Sequence, residues 1–358
     1  MRKNLTLLIL VLIIVQGILI KVEASDKIIK TDIRYRHERI SEEGKGYSRN
    51  RQRIRARVSI NASISENLSV LFRLASGSDD PISTNQTLTG GFSTKSIMLD
   101  LAYFEYHPVS LKGVCFRAGK MRVPFYKVGN NELIWDTDLN PEGLSFNYNP
   151  YQGTFNLFVH TGYFWVEERK TNADAMLIGV QGGLKSKFYK SGFFSIGTGY
   201  YNYTATKGEV TFFNPANSFG NTVDANKNYA CDFNELEFFT ELKVKVGNLP
   251  LSIFGNYVEN TAVDSSNKGW LVGFSGKLKS FNFRYDYRKL ERDAVVGIFT
   301  NSDFIGGGTN GKGHIFGISF QIDKNVKSGV TYFLNKKGLE NGKNYSRLQV
   351  DVVISKLL

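Results

Sequence analysis

The sequence predicts an all-β chain that closes into a transmembrane antiparallel up-and-down β-barrel of about 16 strands. Three observations carry this prediction. Apolar and polar residues alternate with period two along the chain, no apolar run beyond Ile20 is long enough for a spanning helix, and short connections alternate with long ones.

The alternation is clearest from Ile54 to Ile64. One face carries Ile54, Ala56, Val58, Ile60, Ala62 and Ile64; the other carries Arg55, Arg57, Ser59, Asn61 and Ser63, and continues back to Arg53 and Arg51. A strand separates these two sets, whereas a helix would mix them. The pattern recurs at Leu68–Leu74, Glu235–Val246, Phe281–Arg288 and Arg347–Ser355. Without a second apolar run, the chain can cross lipid only as a closed barrel, in which strand pairing satisfies every backbone group.

A soluble β-sandwich would alternate too, so the connections arbitrate. Strands are expected near 28–40, 51–64, 68–76, 96–106, 113–120, 143–149, 154–164, 174–184, 192–203, 234–246, 251–258, 269–278, 281–289, 313–322, 326–334 and 345–357. Every second connection is short, such as Lys279-Ser280, while the others run longer, such as 77–95 and 204–233. Short periplasmic turns and long external loops are the habit of outer-membrane barrels. On the strands leading into long loops, Tyr163, Tyr200, Tyr257, Tyr287 and Tyr332 fall at the last outward position, where an aromatic girdle is expected. The 96–106 segment is apolar on both faces, which implies either a bulge or a covered lumen face.

The first 24 residues read as a cleaved secretory signal peptide: Arg2 and Lys3, an apolar run from Leu5 to Ile20, then Val22-Glu23-Ala24 as a small-residue cleavage site. Residues 25–358 read as a single barrel domain. Its loss of Arg2, Lys3, Lys21 and Glu23 takes the formal charge from +12 to +10. This basic excess sits at strand spacing, with no nucleic-acid reading module, so nucleic acid is excluded as a partner. Two cysteines make no disulfide framework. Cys115 and Cys231 are expected at opposite ends of an apolar band about 25 Å tall, too far apart to pair.

The inward face of the first three strands is strongly basic. Arg34, Arg36, Arg51, Arg53, Arg55, Arg57 and Arg73 share it, at about 6.5–7 Å between neighbours on one strand. One reading is the wall of an aqueous pore, and the other is polar filling of a plugged lumen, with arginines paired to acids. The acids that could oppose them are Glu132, Asp136, Asp138 and Glu142 in the third long connection, 121–142. That connection either folds into the lumen or remains a solvated external loop. The four histidines, His37, His107, His160 and His314, are scattered, and no nucleophile–base spacing stands out, so no enzyme is expected. No metal-ligand spacing or cofactor motif is visible either, since Gly306-Gly307-Gly308 lacks a following helix.

In its strand number, loop order and charge arrangement, and in the segments Arg117-Ala118-Gly119-Lys120-Met121-Arg122-Val123-Pro124-Phe125 and Trp135-Asp136-Thr137-Asp138, the chain resembles the outer-membrane general porins. Within them it resembles a group of proteobacterial sequences described as putative porins. The resemblance implies a protein exported through the periplasm to a Gram-negative outer membrane, in contact with lipid and lipopolysaccharide. It also implies a homotrimer and a passive diffusion channel for small hydrophilic solutes and ions, with the inward loop facing a basic cluster across an eyelet. The chain departs from the pattern by ending in Leu358, where many such barrels end in an aromatic assembly signal. Two alternatives stay open: an anion-selective channel for a phosphate-like solute, and a structural or adhesive barrel with a closed lumen.

Overall fold

The structure is a computed structural model that describes residues 26–150, 153–188 and 192–357. The leader expected over 1–24 lies outside them. Seventeen strands follow in order: β1 (Asp26–Glu42), β2 (Arg49–Ser63), β3 (Leu68–Ser76), β4 (Gln86–Thr87), β5 (Ile97–Tyr106), β6 (Val114–Lys120), β7 (Glu142–Tyr148), β8 (Phe155–Glu167), β9 (Ala175–Phe188), β10 (Gly192–Tyr203), β11 (Phe233–Val246), β12 (Leu249–Asn260), β13 (Lys268–Leu278), β14 (Phe281–Leu290), β15 (Gly311–Gln321), β16 (Val326–Lys337) and β17 (Lys343–Leu357). β4 is a two-residue segment of the 77–96 connection that pairs with Arg53 and Ile54 of β2. The other 16 form one antiparallel meander, each paired with its chain neighbours, and β1 closes on β17 from Lys30↔Leu357 to Glu42↔Tyr345. The barrel has no free edge to template aggregation.

Burial is inverted relative to a water-soluble domain. Ile33, Val58, Phe72, Val180 and Val350 are exposed, while Arg36, Glu38, Gln181, Arg347 and Gln349 are buried. The outer face is therefore the apolar one, and period-two alternation sends each charged neighbour inward. At the long-loop end Tyr163 and Trp165 meet edge to face at 5.2 Å, and Trp270 and Tyr287 lie 5.5 Å apart. These rings form the girdle expected from the tyrosine positions.

The doubly apolar 97–106 segment contains a bulge. Arg73 faces Leu101 and Leu74 faces Leu99, so Asp100 is the extra residue. Both Asp100 and Leu101 are turned inward and buried. This re-aiming is what a bulge accomplishes, and it delivers the Asp100 carboxylate to Arg73 and, at 2.7 Å, to the Asn140 amide.

The lumen holds a hydrophobic core. Inward residues Phe158, Tyr201, Phe239 and Phe254 pack against Phe125, Val128, Leu133 and Trp135 of the 121–141 connection. Three further connections join it, through Ile82, through Phe212 and Tyr229, and through Val295, Val296 and Ile298. The sequence reading turned only one connection inward. The apolar run Ala294–Phe299, which would be costly to leave in water, was the missed signal for another.

Candidate pore and its constriction

The 121–141 connection enters the barrel because both its apolar and its polar groups find partners there. Met121 N–H donates to the Pro141 carbonyl at 2.9 Å and closes the base of the loop. Trp135 lies between Phe125, at 5.0 Å, and Tyr201, at 4.4 Å between ring centres. Glu241 of β11 then pins the loop tip. It accepts from the Tyr126 hydroxyl at 2.6 Å and the Gly129 N–H at 3.1 Å. Gly129 has φ +55°, and a Cβ there would run into the Phe254 ring, so only glycine fits. Gln181 both donates to and accepts from the Tyr126 backbone, at 3.0 and 2.7 Å.

The loop thus lies against one wall, formed by β8–β13, and leaves space along the other and, at the short-turn ends of β11–β13, beside its Asn130. That space consists of three adjoining cavities. The outer one, about 670 Å³, is bordered by Arg51, Arg53, Asp80 and Arg347. The inner one, about 830 Å³, is bordered by Lys243, Lys245, Lys277 and Lys327. Between them lies a cavity of about 330 Å³ that shares Ser302 and Asp303 with the outer one and Asn130, Arg284 and Thr331 with the inner one. Its wall carries both signs: Arg34, Arg36, Arg55, Arg284 and Arg288 against Glu132, Asp136, Asp138, Asp286 and Asp303.

The residues singled out in the sequence separate into distinct places. Arg34, Arg36 and Arg55 border the middle cavity. Arg53 borders the outer one, and its neighbours there are Glu38, Ser83 and the Asn85 carbonyl. Arg57 meets Asp138 across the lumen at 3.4 Å and Asp32 at 3.3 Å. Arg73 is buried against Asp100. Most of the arginine file is paired: Arg36 holds Asp351 through two bonds at 2.6 and 2.7 Å, and Arg55 holds Asp32 at 2.6 Å. Arg34 forms no ion pair among the described residues, and its buried Nε has no partner.

The four acids also part company. Asp138 faces the arginines. Burial raises its carboxyl, but Arg57, Arg55 and Arg34 outweigh burial and hold it below the usual carboxylate range. Asp136 faces the 291–310 connection instead, accepting from Ser302 N–H at 2.9 Å. Burial, with Glu132 and Asp138 nearby, pushes its carboxyl well above the usual range. Glu132 accepts from Thr137 N–H at 2.8 Å and from the Asn301 amide. Glu142 departs from the expectation. It is the first residue of β7, on the outward register of exposed Leu144, and pairs with Lys120 at 2.7 Å. The strand begins one residue earlier than read, which carries this acid out of the loop.

Sequence reasoning missed Asp303, which receives Arg347 at 2.6 Å and Arg36 at 3.3 Å. Burial opposes its ionisation, yet these arginines hold its carboxyl far below the usual range. It also left Arg284, Asp286 and Arg288 out of the site, although their alternation on one face was visible. Both cysteines are free thiols. One group without a recognisable ligand spacing is nevertheless assembled by the fold: Glu105, His107 and Cys115.

A closed 16-strand barrel with an apolar outer band, polar cavities in its lumen and an inward-folded loop defines a porin-class membrane channel. The chain belongs to the family described as "Putative porin", whose model matches residues 44–220 and 223–354. Solved structures share the fold at low identity. OprB of Pseudomonas putida is 11% identical, with a TM-score of 0.61 over 92% of this chain and 94% of that one. OmpF of Salmonella typhi, solved with daunomycin, is 12% identical, with a TM-score of 0.56 over 92% and 97%. The trimer form of Vibrio cholerae OmpT is 12% identical, with a TM-score of 0.53 over 93% and 100%. No curated protein matches the sequence at a significant level.

Proposed function

We propose that the chain is a passive diffusion channel for small hydrophilic solutes and ions, with the middle cavity as its eyelet. One observation carries the reading: the 330 Å³ cavity adjoins two larger ones and places acids of the inward loop opposite arginines of β1 and β2. Low-dielectric walls focus a field between fixed opposite charges. A polar solute aligns with that field and exchanges water contacts for protein contacts. An apolar solute loses water contacts without replacement.

The pore-lining roles belong to Arg34, Arg36, Arg53, Arg55 and Arg57, with Arg73 bracing the wall. Glu132, Asp136 and Asp138 shape the opposite rim. The lysines bordering the inner vestibule favour the anion-selective alternative, because Lys245, Lys277 and Lys327 have no acidic partner among the described residues. We place the protein in the outer membrane as a homotrimer, exported by the leader over 1–24. Conductance of the refolded protein in a planar bilayer, with reversal potential in a salt gradient, tests the proposal. Ohmic ion conduction is the expected result. An intact barrel that conducts no ions would show a closed, structural lumen instead, and near-ideal anion selectivity would establish the alternative.

A further inference from the structure

The hairpin joining β5 to β6 carries a group of ligands that the channel function does not use. β5 turns Glu105 toward the lumen, since its neighbours Phe104 and Tyr106 are exposed on the outer face. His107 follows two residues later on the same side. β6 pairs Tyr106 with Phe116, so Cys115 comes opposite His107 as the next inward position. One carboxylate oxygen, one imidazole nitrogen and the thiol sulfur consequently lie within 4.8 Å of one another. Their spacing in sequence, 105, 107 and 115, matches no common metal motif. A cross-strand neighbour supplies the third ligand, and only the folded hairpin creates it.

We propose that Glu105, His107 and Cys115 form a binding site for a borderline-soft divalent cation such as Zn²⁺, at the short-turn mouth of the barrel. The donor set argues for this class. Thiolate and imidazole select zinc-like ions over magnesium or calcium, which prefer all-oxygen shells. Three protein ligands leave a fourth position for water or a passing solute. The site is reachable, because His107 is exposed and Glu105 is half-buried, while Cys115 lies behind them. On binding, the Cys115 sulfur donates a lone pair to the metal and its proton passes to solvent.

Arg117 does not occupy the site. Its Nε donates to Glu105 Oε1 at 2.5 Å, the oxygen that also accepts the Cys115 thiol at 3.6 Å, and Oε2 has no protein partner among the described residues. Such a bond from a neighbouring side chain is the arrangement that orients a ligating carboxylate. A bound dication would staple the β5–β6 hairpin and place positive charge at the inner mouth.

The test is a Cd²⁺ titration of the refolded full-length barrel, followed by the ultraviolet charge-transfer band of a cadmium–thiolate bond, with Zn²⁺ as competitor. Cys231→Ala serves as background, so that Cys115 is the remaining thiol. A saturable band that Zn²⁺ displaces is expected. Cys115→Ser should abolish it, while His107→Ala and Glu105→Gln should each weaken binding by roughly 10-fold or more. His107 is exposed, so its variant is expected to fold, and heat-dependent gel migration verifies closure in each case. The proposal is overturned if the folded background protein gives no band. It is equally overturned if His107→Ala and Glu105→Gln titrate like the background, since a lone thiol would then be the whole site.

Discussion

The two sides of the lumen are built from the same alternating strands and do opposite things. Along β8–β13 the inward positions include Phe158, Tyr201, Phe239, Phe254 and Leu271, and they are covered by a loop. Along β1, β2, β14 and β17 they are Arg34, Arg36, Arg55, Arg288 and Arg347, and they border open space. The apolar side anchors the loop, and the charged side gives the remaining gap its field. A pore of this kind therefore needs a dry wall as much as a wet one, because the loop can hold a fixed carboxylate opposite the arginines only if something else holds the loop.

Breaking the dry wall should have the largest effect. Trp135→Ala removes the ring between Phe125 and Tyr201 and leaves a cavity that the barrel cannot collapse to fill. A loss of about 3–5 kcal/mol from loop docking is expected for an aromatic deletion of this type. Single-channel conductance should rise and become noisy, with cleavage of the loop by added protease as a second readout. Unchanged conductance and protection would mean that the loop is held from the charged side instead.

The next effect concerns the charged pin on the loop-covered side, Glu241 of β11. Glu241→Ala deletes the acceptor shared by Tyr126 and Gly129. Hydrogen bonds to a charged group contribute about 1.5–3 kcal/mol. The loop tip should loosen without losing its aromatic anchor, so protease sensitivity should lie between that of the native chain and Trp135→Ala.

On the charged side the changes should appear in selectivity rather than stability. Arg55→Gln with Arg57→Gln should move the reversal potential toward cations, and Asp138→Asn toward anions. The Asp138 change should be smaller, because one charge is removed rather than two. Equal shifts of the same sign would show that neither group borders the ion path.

The smallest effect separates Asp136 from Asp138. The Asp136 carboxyl titrates above its ordinary range because of burial and its acidic neighbours. Its raised value in the folded state means that ionisation works against docking. Stability from this group is therefore fully present below the unfolded carboxylate pKa of about 3.9 and declines as pH rises toward the folded value. Asp136→Asn keeps an acceptor for Ser302 N–H and cannot ionise. Its thermal midpoint should exceed that of the native chain at neutral and alkaline pH and match it in acid. A uniform drop at every pH would show that the hydrogen bond, not the charge, dominates.

The comparison also shows what was readable in the sequence. Strict alternation, as in Ile54–Ile64, located the strands and the arginine face, because lipid outside and water inside impose opposite residue types on successive positions. Two apolar inward positions of β8 were readable in principle, since Phe158 and Phe164 share a register with the polar Asn156 and His160. The inward course of the 121–142 connection was legible only through the resemblance to general porins, since its acids alone fit a solvated external loop equally well; the apolar Leu133 and Trp135 are what anchor it. Which arginine meets which acid was not legible. Those pairs join residues as distant as Arg36 and Asp351, or Arg347 and Asp303, and their meeting depends on barrel closure and on the shape of a loop that has no period. Glu142 was misplaced because loop and strand differ there by one residue, and a one-residue shift reverses the face.

The seam between β1 and β17 has a further consequence, for the order in which the molecule can be made. Arg36 with Asp351, and Glu38 with Arg347, cross that seam. The charged wall therefore depends on contacts between opposite ends of the chain, whereas the aromatic wall uses strands that follow one another closely. Long-range pairing of this kind is slow, because a large loop must close before any contact compensates for it. The dry half is expected to assemble first and the charged half only when the last strand docks. An unfinished barrel would then hold Arg36 without Asp351 and Arg347 without Glu38, open to water and to any anionic surface nearby, and the full charge pattern of the wall would arise only at the final step of folding.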